Sequence, residues 1–167
     1  PYAPADVDAH AFNVNDVFMG NVFDLMREEK TLSFLFSREP VETPEAFVAV
    51  MKQPANLVVL AFYNSEFVGI AWVNSIREDF CFAHYWFSRK VWGKKSIEIG
   101  KTILQYWFQW TTSDNTECLF KVLLGETPAS NTAAKSYNRR LGFTELGTVP
   151  KIYDGGMTVF YLENPYG

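Results

Sequence analysis

Apolar residues recur along this chain at two periods, and the switching between them predicts its elements. Over residues 16–28, Phe18, Val22, Leu25 and Met26 fall three or four apart and share one helix face, with Asn15 in place as an N-cap. Thr43-Pro44 predicts a second helix start, with Pro at the first helical position; Phe47, Val50 and Met51 follow, and Pro54 stops it. The period then shortens. Leu57–Tyr63 is a continuous apolar run, Asn64-Ser65-Glu66 breaks it, and 67–76 is a second run, so the pair reads as a hairpin. Phe80–Phe87 reads as a third strand, and all three are rich in aromatic and β-branched residues. Over 94–112 the helical period returns through Ile97, Gly100, Ile103, Leu104, Trp107 and Phe108, and the polar group 111–115 ends it. A strand is predicted at 117–124 and a helix at 131–141, closed by Gly142. Strands at 143–153 and Met157–Glu163 flank the turn Asp154-Gly155-Gly156. The order is α-α-β-β-β-α-β-α-β-β, with room for a short strand before the first helix.

No repeat, linker or low-complexity stretch divides the 167 residues, which suit one domain spanning 1–167. Hydrophobic residues make up 48% and charged residues 20%, a globular balance. The 15 Phe, 8 Tyr and 5 Trp predict an aromatic core. No apolar run approaches the roughly 18 residues of a membrane span, so no membrane partner is expected. Residues 1–8 lack the basic–apolar–small order of a signal peptide. Cys81 and Cys118 are the only cysteines, with no CxxC or His-linked spacing. Two free thiols, no metal site and a reducing cytoplasm are the expectation.

A net charge of −4 argues against a nucleic-acid partner, whose phosphates need a basic surface. The charge is unevenly spread. Residues 1–45 hold nine acids against Arg27, Lys30 and Arg38, whereas 89–101 hold Arg89, Lys90, Lys94, Lys95 and Lys101 against Glu98 alone. These are either solvated faces or one site for a cation and another for a polyanion. The basic stretch has the features a polyphosphate needs. It joins a strand to a long helix, whose N-terminus offers unpaired N–H groups and partial positive charge. Gly93 also permits close backbone approach.

These residues and their order resemble the GNAT acetyltransferase superfamily. Its phosphate loop, Q/R-x-x-G-x-G/A between a strand and a helix, is matched by Lys90-Val91-Trp92-Gly93-Lys94-Lys95. Tyr85-Trp86-Phe87 followed by Trp92-Gly93-Lys94 is similar to the branch that acetylates ribosomal-protein N-termini. A second signature, N-x-x-A, seven residues, then G-F, is matched by Asn131, Ala134, Gly142 and Phe143. The resemblance implies an α/β fold with a mixed, mostly antiparallel sheet. One parallel pair, Phe80–Phe87 beside 117–124, splays at one end, and helices cover both faces. It implies acetyl-CoA as co-substrate. Its pyrophosphate would sit on the loop amides of Trp92, Gly93, Lys94, Lys95 and Ser96, its pantetheine arm beside the backbone of Trp86, Phe87 and Ser88, and Asn131 would touch the cofactor. Residues 10–52 would form the lip that selects the acceptor.

Lys95 stands where the family has its second Gly or Ala, and Lys90 where it has Gln or Arg. Asn138 stands where many members carry a Tyr that protonates the leaving thiolate. Tyr137 is one residue earlier, rotated about 100° around the helix, and reads as packing. Phe82 stands where the branch often carries a Glu, and His84, two residues on, shares its strand face. His84 is therefore the candidate base and Asn138 the candidate hydrogen-bond donor to sulfur. His84 wedged silently among aromatics is the competing reading. Glu78 and Asp79 read as a charged turn, and His10 carries no signal. The implied function is N-acetyl transfer from acetyl-CoA to an amine, either a small molecule or a protein N-terminus or lysine, and a homodimer is compatible with it. A GNAT-fold binding or assembly protein without turnover is the alternative, favoured by Lys95, Asn138 and the missing acid–base pair.

Overall fold

The computed structural model describes residues 14–36, 40–111, 117–152 and 155–166, and the backbone alone of 6–10. The predicted positions Arg38, Glu39, 112–116 and Asp154, and the side chains of Asp6, Asp8 and His10, lie outside the described residues.

Seven strands form one sheet in the order β1-β2-β3-β4-β5-β7-β6. They are β1 (Asp6–His10), β2 (Leu57–Tyr63), β3 (Glu66–Arg77), β4 (Phe80–Phe87), β5 (Val122–Pro128), β6 (Thr144–Val149) and β7 (Met157–Glu163). Every neighbouring pair is antiparallel except β4 and β5. That parallel pair needs a crossover, which α4 (Lys94–Phe108) supplies. The β2–β3 hairpin closes through Asn64 and Ser65, with φ +51° and +64°, the two positive values of a type I′ turn. At the β3–β4 turn, Asp79 binds Lys121 at 3.0 Å, and its carbonyl accepts from the Lys121 and Val122 amides. The charged turn thus aligns the start of β5.

Helices cover both faces of the sheet. On one lie α1 (Asp16–Glu28), α2 (Leu32–Leu35) and α3 (Pro44–Met51). Met19, Phe23, Met26, Phe47 and Met51 are fully buried there against Leu60, Ile70, Trp72 and Trp86. On the other, α4 and α5 (Thr132–Leu141) bury Ile99, Ile103, Trp107 and Leu141 against Val73, Phe87, Phe120 and Phe160. The caps follow the sequence. Asn15 accepts from the Val17 amide, Thr43 from Ala46, and Gly142 ends α5 at φ +103°. Among the described residues no helix is long and apolar enough to cross a membrane.

Three predicted bounds move. The strand expected at 117–124 runs from Val122 to Pro128. Residues 117–121 instead descend from α4, with Leu119 bonded to the Trp110 carbonyl and Phe120 buried in the core. Gly125-Glu126-Thr127-Pro128 resembles a turn, yet β5 pairs with β7 along its whole length, so tertiary pairing overrides propensity. Helix α4 ends at Phe108 rather than 112, and Trp110 turns back to pack on Phe120. The strand expected over 143–153 is the shorter β6.

Candidate active site

Strands β4 and β5 pair through Phe80–Val122, Cys81–Leu123 and Phe82–Leu124, and the register goes no further. Beyond Phe82 they diverge, and a cleft of about 410 Å³ opens between them. Its orientation follows from the ladder. The Ser88 amide donates to the Val68 carbonyl at 2.9 Å. By antiparallel alternation the backbone groups of Trp86 and His84 also turn to β3, whereas those of Ala83, Tyr85 and Phe87 turn to the cleft. This open strand edge can pair with an extended amide-bearing ligand.

At the far end of β4, a 3-10 turn over Arg89–Val91 leads to Gly93, the N-cap of α4. Gly93 holds φ +95° and ψ −133°, which L-residues rarely adopt. It has no side chain to cap the helix, and no acid stands in the first turn. The N-terminal amides and the positive end of the helix dipole are therefore left for an anion. Ser96 turns its hydroxyl back to the Gly93 carbonyl at 2.9 Å. Trp92 donates its indole N–H to the Phe87 carbonyl at 2.8 Å.

The loop's cations are not equally available. Lys90 pairs with Glu66 at 3.2 Å. Arg89 lies 4.8 Å over the Trp92 ring and donates through Nε to the Glu29 carbonyl. The Glu29 carboxylate accepts from the Ser88 hydroxyl at 2.6 Å and the Arg89 amide at 2.8 Å. Glu29 thus ties the end of α1 to the loop. Lys94 and Lys95 are exposed, with Lys94 3.9 Å from the Glu98 carboxylate one turn on and Lys95 5.1 Å over the Tyr63 ring.

Across the cleft, Asn138 is 3% exposed. Its amide oxygen accepts from the Tyr85 hydroxyl, and its Nδ2 donates to Thr127 Oγ1 at 3.1 Å. One side chain from α5 therefore bridges both splayed strands. Burial raises the Tyr85 hydroxyl pKa far above the ordinary phenol range, so it remains a donor. His84 stacks on Trp72 at 5.1 Å, and its Nε2 lies 3.1 Å from Asn74 Oδ1. An amide oxygen as partner favours the tautomer with the proton on Nε2.

By sequence the chain matches no protein-family model and no curated protein. By structure it matches acetyltransferases. Against a ribosomal L7/L12 α-N-protein acetyltransferase in complex with coenzyme A, the TM-score is 0.75 at 13% identity, covering 98% of this chain and 96% of that one. Against spermidine N-acetyltransferase from Vibrio cholerae, in complex with CoA and spermine, it is 0.75 at 13% identity, covering 96% of each. A putative acetyltransferase from Salmonella typhimurium with acetyl-CoA gives 0.68 at 12%, covering 99% and 96%. The chain has the GNAT fold.

Within that GNAT fold, His84, Asn131 and Asn138 line one cleft, as do Tyr85 and Glu126. Trp92, Gly93, Lys94, Lys95 and Ser96 cluster at the start of α4, beyond the end of β4. Trp86 and Phe87 bury their side chains in opposite cores, and the Trp86 indole donates to Thr31 Oγ1 at 2.7 Å. Only Phe87 of the two presents its backbone to the splay. The side-chain oxygen of Asn131 accepts from the Ala134 amide at 3.1 Å. The N-x-x-A spacing is thus the N-cap and third residue of α5, with Ala leaving room at the cleft. Tyr137 donates to the Ser96 carbonyl at 2.7 Å, joining α5 to the first turn of α4. Sequence reasoning missed Tyr85, Asn74 and Glu126. With β5 set at Val122–Pro128, alternation alone would have brought Glu126 to the cleft.

Proposed function

We propose that this chain is an N-acetyltransferase that moves an acetyl group from acetyl-CoA to an amine in a reducing cytoplasm. The observation that carries the reading is the splayed β4–β5 pair ending on an uncapped, Gly93-led helix. That arrangement offers an open strand edge for a pantetheine arm and unpaired amides for its phosphates. Bound acetyl-CoA supplies an activated acyl thioester. The amides of Lys94, Lys95 and Ser96 hold the phosphates, with the Lys94 and Lys95 side chains beside them. The backbone of Ala83, Tyr85 and Phe87 orients the arm, and an amide among them polarises the acyl carbonyl. His84, held beside Asn74, takes the proton of the acceptor ammonium directly or through water. Asn138, held by Tyr85 and Thr127, is a hydrogen-bond donor beside the departing sulfur. Cys81 and Cys118, neither of them in a disulfide, support the compartment.

One observation favours a second reading. Both ends of the Asn138 amide are already engaged, and no acid occupies its position. A binding protein that holds CoA without turnover has the same geometry. Incubation with acetyl-CoA and a panel of primary amines, with products followed by mass spectrometry, separates the two. An acetylated amine supports the enzyme, and tight acetyl-CoA binding with no product above the uncatalysed rate supports the binding protein.

A further inference from the structure

We propose that Glu29 is a positioning residue for acetyl transfer. It sets the shape of the phosphate loop and, through the turn that follows it, holds the acceptor side of the cleft to that loop. This rests on the acetyl-transfer reading above. Both carboxylate oxygens are engaged. Oε1 accepts from the Ser88 hydroxyl at 2.6 Å and Oε2 from the Arg89 amide at 2.8 Å, while the Glu29 carbonyl accepts from Arg89 Nε at 3.0 Å. Ser88 and Arg89 begin the turn that leads to Gly93. Ser88 is buried, and its carbonyl accepts from the Val91 amide at 3.0 Å. A shift of Glu29 therefore displaces the start of the loop whose amides receive the phosphates.

The chain beyond Glu29 carries the same restraint to the acceptor side. Helix α1 ends in a Schellman turn. Lys30 takes φ +57°, its amide donates to the Arg27 carbonyl at 3.0 Å, and the Thr31 amide donates to the Met26 carbonyl at 3.0 Å. Buried Thr31 also donates its hydroxyl to the Met26 carbonyl at 3.0 Å and accepts the Trp86 indole N–H at 2.7 Å. The turn is thus pinned to the end of β4 on both sides of Lys30. Helix α2 starts at the next residue, and Phe34, Leu35 and Phe36 line the cleft. Phe36 stacks on Trp72 at 6.1 Å with planes 10° apart. One short turn, 29–31, therefore joins the cofactor loop to a wall of the acceptor site.

Charge and position predict opposite effects here. As a negative charge beside a polyanion site, Glu29 opposes acetyl-CoA, and its removal should tighten binding. As a positioning group it favours acetyl-CoA, and its removal should weaken binding. Two conservative substitutions separate these roles. Asp keeps the charge but is one methylene shorter, and cannot reach both donors from the same backbone. Gln keeps the reach without the charge. Its oxygen accepts from the Arg89 amide, and its NH2 donates to the Ser88 hydroxyl oxygen, which is also an acceptor.

The test is calorimetry of the full chain with acetyl-CoA at low and at physiological salt, with urea unfolding to confirm the fold of each variant. Glu29→Asp and Glu29→Ala should each lose about tenfold in affinity at both salt concentrations, whereas Glu29→Gln should stay close to the parent. Linkage gives a second readout, on the acceptor side. If acetyl-CoA needs the loop as Glu29 holds it, bound acetyl-CoA must in turn resist opening of the tie. In hydrogen exchange, amides of 31–36 in the parent should gain up to about tenfold protection at saturating acetyl-CoA, and clearly less in Glu29→Ala. Glu29→Asp binding as tightly as the parent overturns the proposal. So does tighter binding by Glu29→Ala with a gain that fades as salt rises, or unchanged exchange over 31–36 in the parent. In each of those cases acetyl-CoA still binds the parent, and the acetyl-transfer reading stands. If acetyl-CoA does not bind the parent at all, both fall.

Discussion

Gly100→Ala sets helix propensity against packing at the contact that supports the phosphate loop. Gly100 lies inside α4 and is buried. By propensity alone, Ala should stabilise a helix interior by about 1 kcal/mol. A Cβ at this position, however, would lie 2.2 Å from the Tyr137 hydroxyl and 2.9 Å from Leu141 Cδ2. Tyr137 has little room to retreat, with the rings of Tyr85 and Phe87 at 4.8 Å and 5.9 Å. Swinging it away would break its bond to the Ser96 carbonyl, worth about 1 kcal/mol, and leave a buried hydroxyl unpaired at about 1–3 kcal/mol. Over-packing adds about 1–3 kcal/mol. Packing wins, and a net loss of about 2–6 kcal/mol is expected, or at least several degrees in Tm for a chain of this size. Urea unfolding with an unchanged m-value measures it. Because Ser96 shifts with Tyr137, acetyl-CoA binding should weaken as well. In a Tyr137→Phe background the closest contact disappears, so the double variant should lose less than the sum of the two single changes. A Gly100→Ala protein about 1 kcal/mol more stable than the parent would refute the close approach of α4 and α5.

Gly93→Val should reduce acetyl-CoA affinity more than any lysine change in the loop. No neighbour lies within 4 Å, so the cost is backbone strain of about 1–3 kcal/mol at φ +95°, together with a side chain placed where phosphates approach. Lys94→Ala and Lys95→Ala should each cost about 1 kcal/mol or less in calorimetry. Asn138→Ala should lower turnover about tenfold and also cost about 1–3 kcal/mol of stability, because it strands the hydroxyls of Tyr85 and Thr127. Tyr137→Phe should cost stability while leaving kcat intact, and a large kcat loss would make Tyr137 the acid. Burial pushes the Cys81 thiol from 9.0 up to about 12, so its contribution to stability is full below pH 9.0 and lost as pH rises through about 12. Urea midpoints should therefore fall less steeply over that range in Cys81→Ala than in the parent.

Elements with a strong period and a cap were legible before the structure. Asn15 capping α1, Thr43-Pro44 opening α3 and Gly142 closing α5 all stand where local chemistry put them. The strands β2 and β4 begin and end as their apolar runs do. β5 was misplaced because residues beside an open cleft need not be apolar, so Gly125-Glu126-Thr127 lacks a strand's signature while pairing as one. The four-residue α2 is too short to show a period. The candidate site was legible where one segment builds it, as at Gly93. It was not legible where distant segments meet. Glu29 grips the loop from 60 residues away, and Tyr85 reaches Asn138 across 53. Both contacts decide which charges and donors remain for a ligand.

Acetyl-CoA binding to the unmutated chain, measured by calorimetry at low and at physiological salt, tests the central claim most directly. The protein is acidic overall, with a net charge of −4. Attraction for a polyanion must therefore be local, from the start of α4 and from Lys94 and Lys95. The account predicts one molecule bound per chain, with affinity falling as salt rises because exposed charges are screened. Absence of binding at low salt, with the fold intact, would contradict it.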